Sequence, residues 1–259
     1  MEFEGLNLGR GKMAITRYII SDLHLGAGTV DDNFDQDENC SLFIESITGK
    51  KKAELIINGD FIDFVEIPLP HQTPKRFSRL GNTEDESREK LRMAIEGHPE
   101  VFKSLRRFVD SGNRLVIVPG NHDIDFFWPG VREDTGFFFH NPGEESLYFE
   151  LSGIYRADGL YVEHGNQYFA DSIFENFTNP FIKTKKGELR LERSWSNCFL
   201  MYFTDSMRRR NPFIDNVKPI STMVFMGIQE ETLPIGGHSG DVVDLLEGDG
   251  IAYDPRPRG

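Results

Sequence analysis

Three short apolar runs stand out along the first half of the chain, each ending abruptly in polar residues. Residues 17–21 (RYIIS), 54–58 (ELIIN) and 114–118 (RLVIV) are β-rich and nearly all apolar in their centres, the pattern of strands buried on both faces. Between the second and third, apolar positions fall at helical spacing at Leu91, Ala94, Ile95, Val101, Phe102, Leu105, Phe108 and Val109. Gly97 and Pro99 divide this stretch into two predicted helices, and Gly112 stops the second. Residues 31–38 carry five acids and read as loop. The stretch from Pro68 to about Asp85 reads as a long surface loop. Residues 137–140, 146–151, 154–156 and 160–163 read as short strands in an antiparallel stretch. From Tyr168 to about Ile220 the chain is aromatic, basic and helical in character, and from Leu233 onward no core pattern is visible. Strand–loop–helix followed by shorter strands predicts a layered α/β domain.

Length and composition narrow the class. The 259 residues suffice for one large α/β domain or two small ones, and 38% hydrophobic residues speak against disorder. There is no apolar run of membrane-spanning length and no signal-like apolar core at the N-terminus, so the chain reads as cytoplasmic, with peripheral membrane contact left open. Residues 1–12 read as a loose tail, or as sequence ahead of a start at Met13. The two cysteines, Cys40 and Cys198, read as reduced structural thiols. A net charge of −13 disfavours nucleic acid as a partner. Phosphate substrates remain compatible with it, since bound cations invert the local field.

The candidate chemistry lies at the ends of the apolar runs, where ligands gather in α/β sheets. Asp22-x-His24 leaves the first run and offers a carboxylate and an imidazole to one cation. Gly59-Asp60 ends the second; a carboxylate has two oxygens and can bridge two cations ~3.5–4 Å apart. Asp63, three residues on, reads as an orienting group of that loop. Gly120-Asn121-His122-Asp123 ends the third. The Asn121 amide oxygen is a neutral ligand, His122 can protonate a leaving alkoxide or stabilise phosphoryl charge, and Asp123 can hold the His122 imidazole. His164-Gly165 supplies a further imidazole. Each motif alone also reads as a polar turn after a strand, and Gly120-Asn121-His122-Asp123 is the strongest single signal among them.

Taken together and in this order, Asp-x-His, Gly-Asp-x-x-Asp, Gly-Asn-His-Asp and His-Gly resemble the calcineurin-like metallophosphoesterase superfamily over roughly residues 16–170. The resemblance implies a four-layer α/β-β/α sandwich, here with a helical insertion after the fourth motif. It implies Asp22 and His24 on one metal, Asp60 as the bridge, Asn121 and His164 on a second metal, and His122 on the substrate phosphate with Asp123 behind it. Two divalent ions, manganese first with iron or zinc as alternatives, would activate a hydroxide against a small phosphate mono- or diester. The implied division is a tail over 1–15, a core over 16–167, a basic and aromatic cap over 168–225 and a C-terminal segment over 226–259. The family's closing Gly-x-His-x-His is missing; the nearest match is Gly237-His238-Ser239-Gly240. Either the chain stops before that motif or His238 serves alone. Residues 183–218 hold nine Lys or Arg against four acids, a local +5, which suits a cap, an anionic lipid surface or an ordinary solvated face. Two further functions stay open: a metal-binding scaffold without turnover, and a lipid-linked nucleotide pyrophosphohydrolase.

Overall fold

In the computed structural model the residues described are 15–30, 32–49, 52–69, 82–184 and 186–201. His238, residues 202–225 of the expected cap and the whole of 226–259 lie outside them.

The three apolar runs form the parallel strands β1 (Thr16–Ile20), β2 (Ala53–Asn58) and β3 (Arg114–Val118); β2 and β3 are buried as expected, whereas β1 is an edge strand with Ile19 exposed. With β4 (Leu147–Phe149) they make one sheet in the order β1-β2-β3-β4, parallel throughout. The β4 pairing corrects the antiparallel expectation for 146–151. The intervening helix α4 (Pro129–Phe138) carries the chain back to the starting end of β3, so β4 enters in the same direction. Residues 137–140 are the end of α4 and the turn after it, not a strand. The antiparallel reading holds for the hairpin of β5 (Ile154–Ala157) and β6 (Leu160–Glu163).

Alternation along the strands sorts the sheet's two faces. Leu55, Ile57, Leu115 and Ile117 point into a core shared with the helices, where Phe61, Phe64, Phe102, Phe108, Phe126 and Phe139 are fully buried. Ile56, Val116 and Val118 point the other way, onto Tyr155 and Val162 of the β5–β6 hairpin. Helices, parallel sheet and hairpin therefore stack as three layers. A second helical layer is not seen among the described residues.

Helix α2 (Glu84–Gly97) starts at a capping box, in which the Thr83 hydroxyl accepts from the Glu86 N–H and the Glu86 carboxylate accepts from the Thr83 N–H. Helix α3 (Pro99–Asp110) has Pro99 in its first turn, where the missing N–H costs nothing. The acidic stretch that read as loop ends in α1 (Asp37–Ile47), which packs on α3. Past His164 the described residues give mainly β and irregular structure where helix was expected. Strands β7 (Phe181–Lys183) and β8 (Leu189–Leu191) pair antiparallel, and the one α-helix there is the short α5 (Trp195–Phe199). Phe174, Phe177, Phe181 and Leu191 from this region pack into the helical core. Among the described residues no helix is long and apolar enough to cross a membrane.

Candidate metal centre

Adjacent parallel strands bring their C-terminal ends together, and β1, β2 and β3 are adjacent. The three motifs that follow them are thus neighbours in space, although about 100 residues separate the first from the last. Beyond the strands the backbone keeps pairing: Asp22 N–H donates to the Gly59 carbonyl (3.1 Å), His24 N–H to that of Asp60 (2.9 Å), and Gly59 N–H to that of Val118 (2.8 Å). His164 arrives from the hairpin layer. It is tied across by the Asn58 amide, which donates to the Glu163 carbonyl (2.9 Å), and by its own Nδ1, 3.0 Å from the Asn58 carbonyl.

The backbone here is unusual. Asp22, His24 and Asp60 all adopt positive φ, at 55°, 49° and 53°. Such conformations cost about 1–3 kcal/mol each and cluster where geometry serves a site. Two glycines make the room. At Gly59, also at positive φ, a side chain would run into the His164 ring, and at Gly120 one would run into the Asp60 carboxylate.

Asp60 is the centre of the arrangement. One carboxylate oxygen accepts the His122 backbone N–H at 2.9 Å. The other lies 3.5 Å from His24 Nε2 and 3.3 Å from His164 Nε2. Ligand atoms of His24, Asp60 and His122 fall within 4.8 Å of one another, and so do those of Asp22, Asp60 and His164. Both groups mix imidazole nitrogen with carboxylate oxygen, which fits a divalent transition metal. Asp22 was expected beside His24. Instead the His24 ring is drawn toward Asp63, and Asp22 gathers with His164. Asn121 is buried in the turn after β3.

Asp63 accepts from both motif histidines, with His24 Nδ1 at 2.9 Å and His122 Nδ1 at 3.0 Å. A carboxylate accepts only, so each ring donates through Nδ1 and keeps Nε2 for the site. The two rings meet edge to face with centroids 4.6 Å apart. The expectation that Asp123 stands behind His122 is corrected by this geometry. The Asp123 carboxylate points into its own turn and accepts backbone N–H groups of Gly120 (2.5 Å), Phe61 (2.7 Å) and Asp60 (3.3 Å). It holds the second and third motif loops together, while Asp63 holds the imidazole. The spacing Gly-Asp-x-x-Asp was the available signal for Asp63.

The protonation states follow from this crowding. Burial opposes charge on His122, but the Asp63 and Asp60 carboxylates outweigh it and raise its pKa to about 10. His164 is raised to about 9, burial again opposed by Asp60. His24 is raised by Asp63 and Asp60 against burial. Burial works against an ionised Asp60, yet the surrounding histidines bring it down to about 2, and Asp63 is held well below the usual carboxylate range in the same way. Asp123, buried and facing the Asp60 charge, is pushed up to about 7.

Comparison with curated proteins and with solved structures gave no match. The model of the family described as calcineurin-like phosphoesterase matches residues 15–217, well over half of the chain and all the motif loops described above. A parallel sheet with these motifs at its C-terminal edge, together with that match, places the chain in the calcineurin-like phosphoesterase family.

Proposed function

We propose that this chain hydrolyses a small phosphate mono- or diester with two divalent cations, manganese first and iron or zinc as alternatives. The observation that carries the proposal is Asp60, whose carboxylate belongs to both groups of ligand atoms. The ligand set we propose is Asp22, His24, Asp60, Asn121 and His164. Bound there, the cations supply Lewis acidity toward phosphoryl oxygens and lower the pKa of water.

The chain's own residues do the rest. Asp63 orients His24 and His122 through their Nδ1 atoms. His122, held in this way, has Nε2 free to hold a proton for the departing oxygen or to donate to the phosphoryl group. The Asp63 carboxylate beside it favours the protonated ring. Asp123 fixes the turn that carries Asn121 and His122 by accepting three backbone N–H groups.

The test is hydrolysis of p-nitrophenyl phosphate and bis-p-nitrophenyl phosphate by the full chain, stripped with chelator and then supplied with manganese, iron or zinc. Turnover that returns with metal, and is lost in Asp60→Asn, supports the proposal. A chain that binds these metals and never turns over either ester is a scaffold, and the hydrolase reading fails.

A further inference from the structure

We propose that Arg193 is a positioning residue which, through Asp125, sets the turn that carries His122. This rests on the phosphoesterase reading of the site and extends it to a residue outside all four motifs. Arg193 follows β8, and Asp125 lies in the 3-10 turn Ile124–Phe127 that begins directly after Asp123. Arg193 Nη1 donates to one Asp125 oxygen at 2.7 Å and Nη2 to the other at 3.2 Å. Both side chains are wholly shut off from solvent.

A buried ion pair is a poor way to gain stability, because the desolvation of both charges offsets their attraction. A forked, two-point contact is a good way to impose geometry. Its place matters. The Phe126 N–H donates to the Asp123 carbonyl at 3.1 Å and the Trp128 N–H to that of Asp125 at 3.1 Å, so the turn is continuous with the Asn121–Asp123 loop. Asp123 pins the near end of this segment to the Asp60 loop, and Arg193 pins the far end.

Helix α2 couples the two. The Ser87 hydroxyl donates to Asp125 at 2.5 Å, and one turn later the fully buried Lys90 ammonium donates to the Phe64 carbonyl at 2.6 Å, beside Asp63. Asn82, just before α2, joins the same frame. Its carbonyl accepts from Trp128 Nε1 at 3.2 Å and from the Leu191 N–H at 3.3 Å. The segment from β8 to Arg193 is thereby wired to the loop bearing the candidate acid.

Arg193→Lys keeps the charge and loses the fork. The expected result is kcat lowered about ten- to a hundredfold with KM within about twofold, the signature of a misplaced group rather than lost binding. The His122 imidazole signals in a 1H–15N spectrum, identified by their loss in His122→Ala, are expected to move. Should Arg193→Lys fail to fold, the double variant Asp125→Leu/Arg193→Met removes the contact without burying a lone charge and is read in the same way. A folded variant with wild-type kcat and unmoved His122 signals overturns the proposal and leaves a purely structural pair. If the wild-type chain itself shows no turnover, the phosphoesterase reading fails separately. The imidazole signals then decide the positioning role alone, moved in support and unmoved against.

Discussion

Asp60, His122 and Asp63 divide the work at the site, and each can be removed separately. Asp60→Asn takes the charge from the shared position. With metal contributions of several kcal/mol at stake, turnover is expected to fall ~10²–10³-fold. Asp63→Asn removes the negative charge beside His24 and His122 and puts an NH2 donor where one carboxylate oxygen accepts the Glu66 N–H. Loss of such an outer partner typically weakens metal binding about 10–100-fold, which a metal titration of the stripped chain measures. His122→Ala separates two roles the geometry permits, since its nitrogen also lies within the first group of ligand atoms. If His122 is the acid, kcat drops about 10²–10⁴-fold with metal content unchanged. If metal content falls with it, His122 is a ligand. The motif residues were legible because each sits within a few positions of a strand end. The His122 partner was not. Asp123 is adjacent in sequence, but a neighbouring side chain in a tight turn points elsewhere, and the true acceptor comes from another loop.

Among the elements, the junction of α2 and α3 carries a testable pH dependence. His98 sits there, buried, with Nε2 2.9 Å from Asp32 and Nδ1 3.0 Å from Asp37. Burial opposes its charge, but Asp32 and Asp37 win and raise its pKa above 6.5. A raised folded-state pKa stabilises fully below the unfolded value and fades as pH rises through the folded one. Asp32 is lowered below 3.8, burial opposed by His98 and by backbone N–H groups, so its share is present above that value and is lost in acid. Thermal melts from pH 6 upward should show stability falling less in His98→Gln than in wild type. Equal slopes would remove His98 as the source. The same elements show what periodicity can and cannot read. The breaks at Gly97 and Pro99 were legible because backbone chemistry enforces them. Helix α4 was not, since three consecutive phenylalanines, Phe137 to Phe139, mimic a strand although only Phe139 is fully buried. The β7–β8 hairpin hid behind basic and aromatic residues that suit either state.

At the scale of the molecule, the chain places a cluster of histidines and carboxylates, from the exposed Asp22 to the buried Asp60, at one edge of its sheet, within a polypeptide of net charge −13. The parallel sheet was legible from three apolar runs, but the direction of β4 was not, because direction depends on the helix that precedes it. The proposal that two cations share Asp60 makes a stoichiometric demand. The most direct measurement is elemental analysis of the full chain, stripped with chelator, reloaded with manganese and freed of excess metal, beside Asp60→Asn treated alike. The account predicts about two manganese ions per wild-type chain, with at least one lost in Asp60→Asn. One ion or none in the wild type, or the same content in Asp60→Asn, would contradict it.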